Sequence, residues 1–198
     1  MNWENAMRGA RNPLNSWSRM DSYYDENHQY VLGPNDLDLA KRLCRAGSDH
    51  RKFLRQVMVS VDITAPLYWW KEYDTYKVAT VANSTSTMHK IHSKPFVRED
   101  FSTDHMTEDA LEFMDTVIDK LEEIRLRYME GGKNKRDWYD LIQLLPSSYQ
   151  QMRTCSLNYE TLIHIYYARK DHKLDEWHTF CDWILTLPYG EELIKMEE

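Results

Sequence analysis

The 198-residue sequence predicts an α+β fold: a single domain with a short central sheet flanked by helices. Three observations carry that reading. Val57, Val59, Val61 and Ile63 alternate with Gln56, Met58, Ser60 and Asp62, the period of two expected of a strand with one buried face. After Thr107, the apolar stripe Leu111, Met114, Ile118, Leu121 and Tyr128 repeats at helical spacing until Gly131-Gly132 ends it. Shorter helical patterns lie on either side, with no internal repeat and no low-complexity tract.

In chain order, residues 1–34 read as an N-terminal arm, polar and irregular, that docks by Trp3, Trp17, Tyr23 and Tyr24. The domain proper is expected over 35–198. Gly33-Pro34 makes a turn, and Asn35 or Asp36 caps a helix carrying Leu37, Ala40 and Leu43 that Gly47 stops. His50 stands at the entry to the strand. Pro66 breaks the strand's ladder because it has no N–H to donate. Beyond it, Leu67, Trp70, Asp74 and Lys77 make one helical stripe and Trp69, Tyr73 and Tyr76 a second, running out into Asn83-Ser84-Thr85-Ser86-Thr87. Residues 93–106 read as loop. Thr107 then caps the longest helix, with Glu108 and Asp109 suited to the positive end of its dipole. That helix is expected to cover the strand's apolar face. A shorter helix with Trp138, Leu141 and Leu145 is closed by Pro146, and an apolar-aromatic segment runs from Asn158 to Arg169. The last helix, from about Asp175, buries Trp177, Cys181, Ile184 and Leu187 before Pro188.

Composition excludes several classes. With 32 acidic against 25 basic residues, the net charge of −7 leaves no general basic face for nucleic acid or a membrane surface. A local basic pocket for a small anion remains open. Three widely spaced cysteines, Cys44, Cys155 and Cys181, do not make a disulfide framework. No stretch has the apolar length of a signal peptide or a membrane span, so the expected setting is cytoplasmic.

Two stretches carry candidate chemistry. A strand, a helix with cations and a hydroxyl-rich loop can hold a phosphate; the alternative is a turn cluster, which Asn, Ser and Thr also favour. Further on, Asn158, His164 and Arg169 lie six and five residues apart. At roughly 100° per residue, Asn158 and Arg169 return to nearly one helix face while His164 lies off it. The competing reading makes Arg169 a surface cation and His164 a core histidine. His89 and His92, three apart, lack the cysteine or carboxylate that would complete a metal set and read as a solvated turn. His172 and His178 read as helix-surface residues, and Cys155 as an inert buried thiol.

At Asn158 and Arg169, eleven apart, with His164 between them and Leu145-Pro146 ahead, the chain resembles the flavin-dependent thymidylate synthases. Ala65-Pro66 and the position of His50 agree with that resemblance, which spans roughly residues 37–187. The family signature is Arg-His-Arg, seven residues, then Ser. Here it reads Thr75-Tyr76-Lys77, with Thr85 or, after a one-residue insertion, Ser86 in the place of the serine. Glu72 stands where family members have a substrate-contacting Gln; Arg55 replaces an acidic residue, and Glu160 and Ile142 replace arginines. The resemblance implies a homotetramer with FAD at subunit interfaces, using NADPH and methylenetetrahydrofolate to methylate dUMP. It further implies Arg169 against a uracil carbonyl; Lys77, Ser84, Thr85, Ser86 and Glu72 on the nucleotide; and His50, Asn158 and His164 on the flavin. Two functions fit these departures. One is a divergent, still catalytic relative that binds a pyrimidine nucleotide. The other is a catalytically inactive homologue that acts through a protein partner. Methylation of a different nucleotide is a third.

Overall fold

The computed structural model describes residues 1–196. It is α+β, with a short sheet and seven α-helices among the described residues. The helices are α1 (Trp3–Arg11), α2 (Pro34–Arg45), α3 (Leu67–Tyr73), α4 (Glu108–Glu130), α5 (Lys135–Leu144), α6 (Tyr159–Arg169) and α7 (Asp175–Thr186). The strands β1 (Tyr23–Tyr24) and β2 (Tyr30–Val31) pair antiparallel, Tyr23 opposite Val31 and Tyr24 opposite Tyr30. The strands β3 (Met58–Pro66), β4 (Val81–Ser84) and β5 (Gln150–Asn158) form the central sheet in the order β3-β5-β4. The predicted strand is therefore present but starts at Met58 rather than Gln56: Val59 is buried and Val61 and Ile63 half-buried within it, while Val57 is buried just ahead of it.

The chain falls into two compact units: residues 1–61, 76–81 and 155–198, and residues 62–75 and 82–154. In the first, α1 replaces the irregular arm. Trp3, Ala6 and Met7 recur at the three-and-four spacing of a helix and are buried. Trp3 meets Tyr159 and Tyr189 edge-on, with ring centroids 5.0 and 5.2 Å apart. Trp17, Tyr23 and Tyr24, expected to dock the arm, are exposed instead. The helix α2 begins two or three residues earlier than predicted, at Pro34, with Gly33 in place of Asn35 or Asp36 as its N-cap. The side chain of Asp21 takes the capping role assigned to Asn35 or Asp36, accepting from Asn35 N at 2.8 Å and Asp36 N at 3.0 Å. A side chain at Gly33 would meet Asp21 at 2.4 Å, so only glycine permits this approach. A 3₁₀ stretch over Arg51–Gln56 leads into β3, and the unit's core is completed by Leu162, Ile163 and Ile165 of α6 and Trp177 and Ile184 of α7.

In the second unit, α4 and α5 close a core with the 91–101 segment: Ile91, Phe96, Phe101, Met114, Ile118, Leu121, Ile124, Tyr128 and Leu141. This corrects one expectation. Among the described residues, α4's cluster contains none of Val57, Val59, Val61 and Ile63; its stripe is closed by α5 and the supposedly loose 93–106 stretch. Glu122 anchors that stretch, accepting from Phe96 N at 3.0 Å and pairing with Arg125 at 2.6 Å. The Arg125 guanidinium, followed by the Phe96 amide, holds the Glu122 carboxyl below its ordinary 4.5. A depressed folded-state value contributes stability above the unfolded value and loses it as pH falls through the folded one. Thermal melts between pH 7 and 3 are expected to show this loss in the wild type, with a shallower acid slope for Glu122→Gln. An identical acid slope in the variant would remove Glu122 from the account. His92 lies half-buried with its ring 4.9 Å from that of Tyr128, and burial lowers its pKa, so it does not sit in a solvated turn.

The helix after Pro66 is shorter than its stripes suggested. It ends at Tyr73 because Trp69, Trp70 and Tyr73 are the residues that find burial. Trp70 donates to Gln151 O at 2.9 Å, and Arg153 lies 4.2 Å over its ring while pairing with Asp74 at 2.7 Å. All three cysteines are buried and outside any disulfide; burial pushes the Cys44 thiol up to about 12 and Cys181 up to about 11.

Candidate functional site

Arg169 is the best-organised candidate, and it lies at the end of α6. The helix starts where Asn158 stops β5: its Oδ1 accepts from Thr161 N at 2.9 Å and from Thr161 Oγ1 at 3.1 Å, a side-chain N-cap. Nδ2 donates to Arg55 O at 3.3 Å, and the residue is 4% exposed. The residues 158 and 169 share a helix face, but eleven residues rise about 16 Å along the axis. Asn158 is thus a buried cap at one end, and Arg169 a half-buried cation at the other.

Arg169 donates from Nε to the Tyr76 hydroxyl at 2.7 Å. Its guanidinium carbon lies 4.7 Å from the centroid of the Trp177 ring and 5.5 Å from that of Tyr76, both within cation–π range. Trp177 is fully buried at the start of α7 and also meets the ring of Tyr76 at 6.0 Å. His164 is exposed, with its ring 5.7 Å from Tyr76 and roughly perpendicular to it. The wheel separates His164 from Arg169 by about 140°; Tyr76, reaching both, brings them into one cluster. His172 adjoins it, 6.3 Å from Trp177 ring to ring.

Tyr76 and Trp177 are the residues that sequence reasoning missed as site elements. Tyr76 appeared as part of a helical stripe and in the place of a signature histidine, and Trp177 as core. The signal available was an aromatic at the signature position and another eight residues beyond the arginine, neither diagnostic without the fold. Lys77, next along, is exposed. His50 is also exposed, in the turn before Arg51, its amide bonded to Gly47 O at 3.0 Å. Glu160, in place of a family arginine, is paired with Arg51 at 3.0 Å, both largely shielded from solvent.

The remaining candidates lie in the other unit. Glu72 is half-buried on α3, where its backbone carbonyl accepts from Thr75 N at 3.1 Å. Residues 81–84 are strand rather than helix run-out, so Ser84 ends β4. Thr85 continues the edge, its amide donating to Met152 O at 2.9 Å and its hydroxyl to the same oxygen at 3.3 Å. The Ser86 hydroxyl accepts from the amides of Met88 at 3.2 Å and His89 at 2.8 Å, so its loop is the turn that the competing reading described. With both lone pairs used inward, its own proton is directed elsewhere. Ser84 and Ser86 are the hydroxyls left as donors; Thr85's is committed to the strand.

The fold is that of the flavin-dependent thymidylate synthases. The structures it matches include ThyX from Helicobacter pylori complexed with FAD and dUMP, at TM-score 0.67 and 17% identity over 98% of this chain and 94% of that one. A second structure of the Helicobacter pylori enzyme with FAD and dUMP gives TM-score 0.70 at 16% identity, over 100% and 96%. No family model matches the sequence, and neither does any curated protein.

Proposed function

We propose that this chain binds a pyrimidine nucleoside monophosphate of the dUMP kind and does not sustain its flavin-dependent methylation. The observation that supports binding is Arg169, held by the Tyr76 hydroxyl and two aromatic faces, at the sequence position for which the family resemblance implies a uracil-facing arginine. Its guanidinium donates to a base carbonyl, and a charge-assisted hydrogen bond of that kind selects a carbonyl over an amine. By the resemblance, Lys77 is the proposed phosphate contact of the first unit, and Ser84, Ser86, Thr85 and Glu72 are proposed nucleotide contacts of the second, each taken by itself. The setting proposed is the cytoplasm, as a homotetramer.

The reading against turnover comes from the flavin residues. The fold family implies FAD, held here by His50, Asn158 and His164. These residues do not fit it. The Asn158 amide oxygen is committed to the cap and one Nδ2 proton to Arg55 O, so a single N–H is what it has left for a cofactor without unmaking the start of α6. Arg51, a cation near that end of the helix, is neutralised by Glu160, whereas a dinucleotide diphosphate needs unpaired positive charge. Without a flavin, NADPH and methylenetetrahydrofolate have no acceptor in the site. The homologue then acts by binding its nucleotide, with a protein partner as the responding component.

The protein is expected to purify colourless, and added FAD to bind at least a hundredfold more weakly than a cofactor retained through purification, the loss of two charged contacts at ~1.5–3 kcal/mol each. Stoichiometric absorbance near 450 nm, roughly the blue band of an oxidised flavin, would overturn the reading against turnover while leaving nucleotide binding intact.

A further inference from the structure

The second unit contains a cleft of about 350 Å³, lined by Tyr68, by Ser102 to Met106 and by Pro146 to Ser148. Backbone bonds fix its three walls. In the first turn of α3, Tyr68 N donates to Ser147 O at 3.1 Å and Leu67 N to Tyr149 O at 3.0 Å. Ser102 N donates to Ser148 O at 2.9 Å, and Met106 N to Thr103 O at 3.1 Å, closing the turn ahead of α4. A directed chain of side chains joins two of these walls. Ser102 Oγ gives its single proton to Asp104 Oδ1 at 3.1 Å, so in the 3.2 Å bond between the Tyr68 and Ser102 hydroxyls the tyrosine is the donor. His105 Nε2 lies 3.4 Å from Asp104 Oδ2. None of the nucleotide contacts proposed above lines this cleft.

One hydroxyl in the cleft has no structural role to account for it. Ser148 is 9% exposed, yet its hydroxyl makes no hydrogen bond to another described residue, and those of Thr103 and Ser147 make none either. Buried polar side chains ordinarily find a partner, because an unmet one loses its hydration for nothing. We propose that this cleft is a binding site for a neutral, hydroxyl-rich ring of monosaccharide size. The hydroxyls of Thr103, Ser147 and Ser148 can each donate to and accept from such a ligand. Asp104 accepts from its hydroxyls, since each carboxylate oxygen has about two acceptor positions and the chain uses one. Tyr68, Pro146 and Met106 supply apolar surface for the C–H face of the ring. The lining holds one carboxylate and no lysine or arginine, which turns away phosphates and other anions. A cleft of this size sits at the small end of ligand sites, as a single sugar ring requires.

The test is titration of the full-length protein, followed by ¹H–¹⁵N spectra, with D-glucose, D-galactose and D-mannose, and with inorganic phosphate and dUMP as controls. At least one sugar is expected to shift the amides of Thr103, Asp104 and Ser148 together. Its dissociation constant is expected on the order of a few millimolar, what about twelve non-hydrogen atoms carry at ordinary ligand efficiency. Phosphate and dUMP are expected to leave those amides in place. Asp104→Asn is expected to weaken the sugar about tenfold, the lower end for a hydrogen bond to a charged group. Ser148→Ala is expected to weaken it about fivefold while the melting temperature stays or rises, since no bond of the fold is lost. A Ser148→Ala protein that melts below the wild type assigns that hydroxyl to the fold and overturns the proposal. So do amides that stay still with all three sugars at about 50 mM, roughly tenfold above the expected constant, or that shift as strongly with phosphate or dUMP. Unweakened binding by Asp104→Asn overturns it as well. Each of these failures leaves the nucleotide reading standing, because that reading rests on none of these residues.

Discussion

Replacing Arg169 by alanine is expected to weaken dUMP binding by about 10- to 150-fold, the equivalent of the 1.5–3 kcal/mol carried by a hydrogen bond to a charged group. The guanidinium is a half-buried cation with its Nε fixed by Tyr76, so its loss removes an ordered donor set rather than a mobile surface charge. Lysine at 169 is expected to recover only part of the affinity. It restores the charge but offers a point donor where a planar fork stood, and it stacks less well between Tyr76 and Trp177. Ser86→Ala is expected to cost less, since that hydroxyl has both lone pairs committed to backbone amides and contributes one proton. Titrations of dUMP, dTMP and dCMP into the wild type and these three variants decide the matter. dCMP is the informative ligand, because it keeps the phosphate and replaces one carbonyl edge by an amine. An Arg169→Ala protein that binds dUMP as well as wild type would show that the base is not read at the end of α6.

What the sequence made legible follows from how local each signal is. The boundaries of α4, from Thr107 to Gly131, were readable because cap, dipole residues, apolar stripe and glycine stop all agree within one continuous segment. Asn158 was readable only as the start of an apolar-aromatic segment and, through the resemblance, as a flavin contact; the structure makes its side chain the N-cap of α6. The segment at 76–81 was not legible. The stripes Leu67–Trp70–Asp74–Lys77 and Trp69–Tyr73–Tyr76 keep helical spacing past the point where burial stops, and only the packing of Trp69, Trp70 and Tyr73 decides that the helix ends at 73. The strand β5 was hidden differently. Gln150 to Asn158 alternates burial imperfectly, and its identity depends on neighbours 92 and 96 residues away, Asp62 and Ser60, which bond Thr154 at 2.5 Å and Ser156 at 2.9 Å. In the site, residue types at family spacing were visible, but their engagement was not. Periodicity places Asn158 and Arg169 on one face; it does not show that one is locked into a cap and the other held by a tyrosine 93 positions away.

The helix α1 escaped notice because a charged residue completes its buried stripe, and that residue carries the largest expected effect on stability. Arg11 is 5% exposed and donates from Nε to Asp36 Oδ1 at 2.6 Å; Asp36 is fully buried. The second oxygen of Asp36 accepts from the Ser22 hydroxyl at 2.5 Å and from the Ser22 and Asp21 amides at 3.2 and 3.3 Å. One carboxylate thereby ties α1, the 21–22 turn and the first turn of α2. Arg11→Ala leaves that carboxylate buried without its cation, and is expected to destabilise by about 3–5 kcal/mol. At 2–4 °C per kcal/mol for a chain of this size, the melting temperature falls by roughly 6–20 °C. Asp36→Asn is expected to cost a comparable amount, because it leaves the Arg11 guanidinium buried without its anion and turns an NH2 group toward a donor. The sharper check is the double replacement Arg11→Met with Asp36→Leu, which removes both charges and fills the space with apolar side chains. It is expected to regain most of the lost stability, since the cost of Arg11→Ala is that of an uncompensated charge rather than of a missing attraction. A chain starting at residue 35 is expected to lose at least as much stability as Arg11→Ala, since residues 1–34 lie in the same compact unit as α2. If Arg11→Ala melts within 2 °C of wild type, about the shift of a single surface change, then α1 is not held by this pair and Trp3, packed on Tyr159 and Tyr189, is its anchor instead.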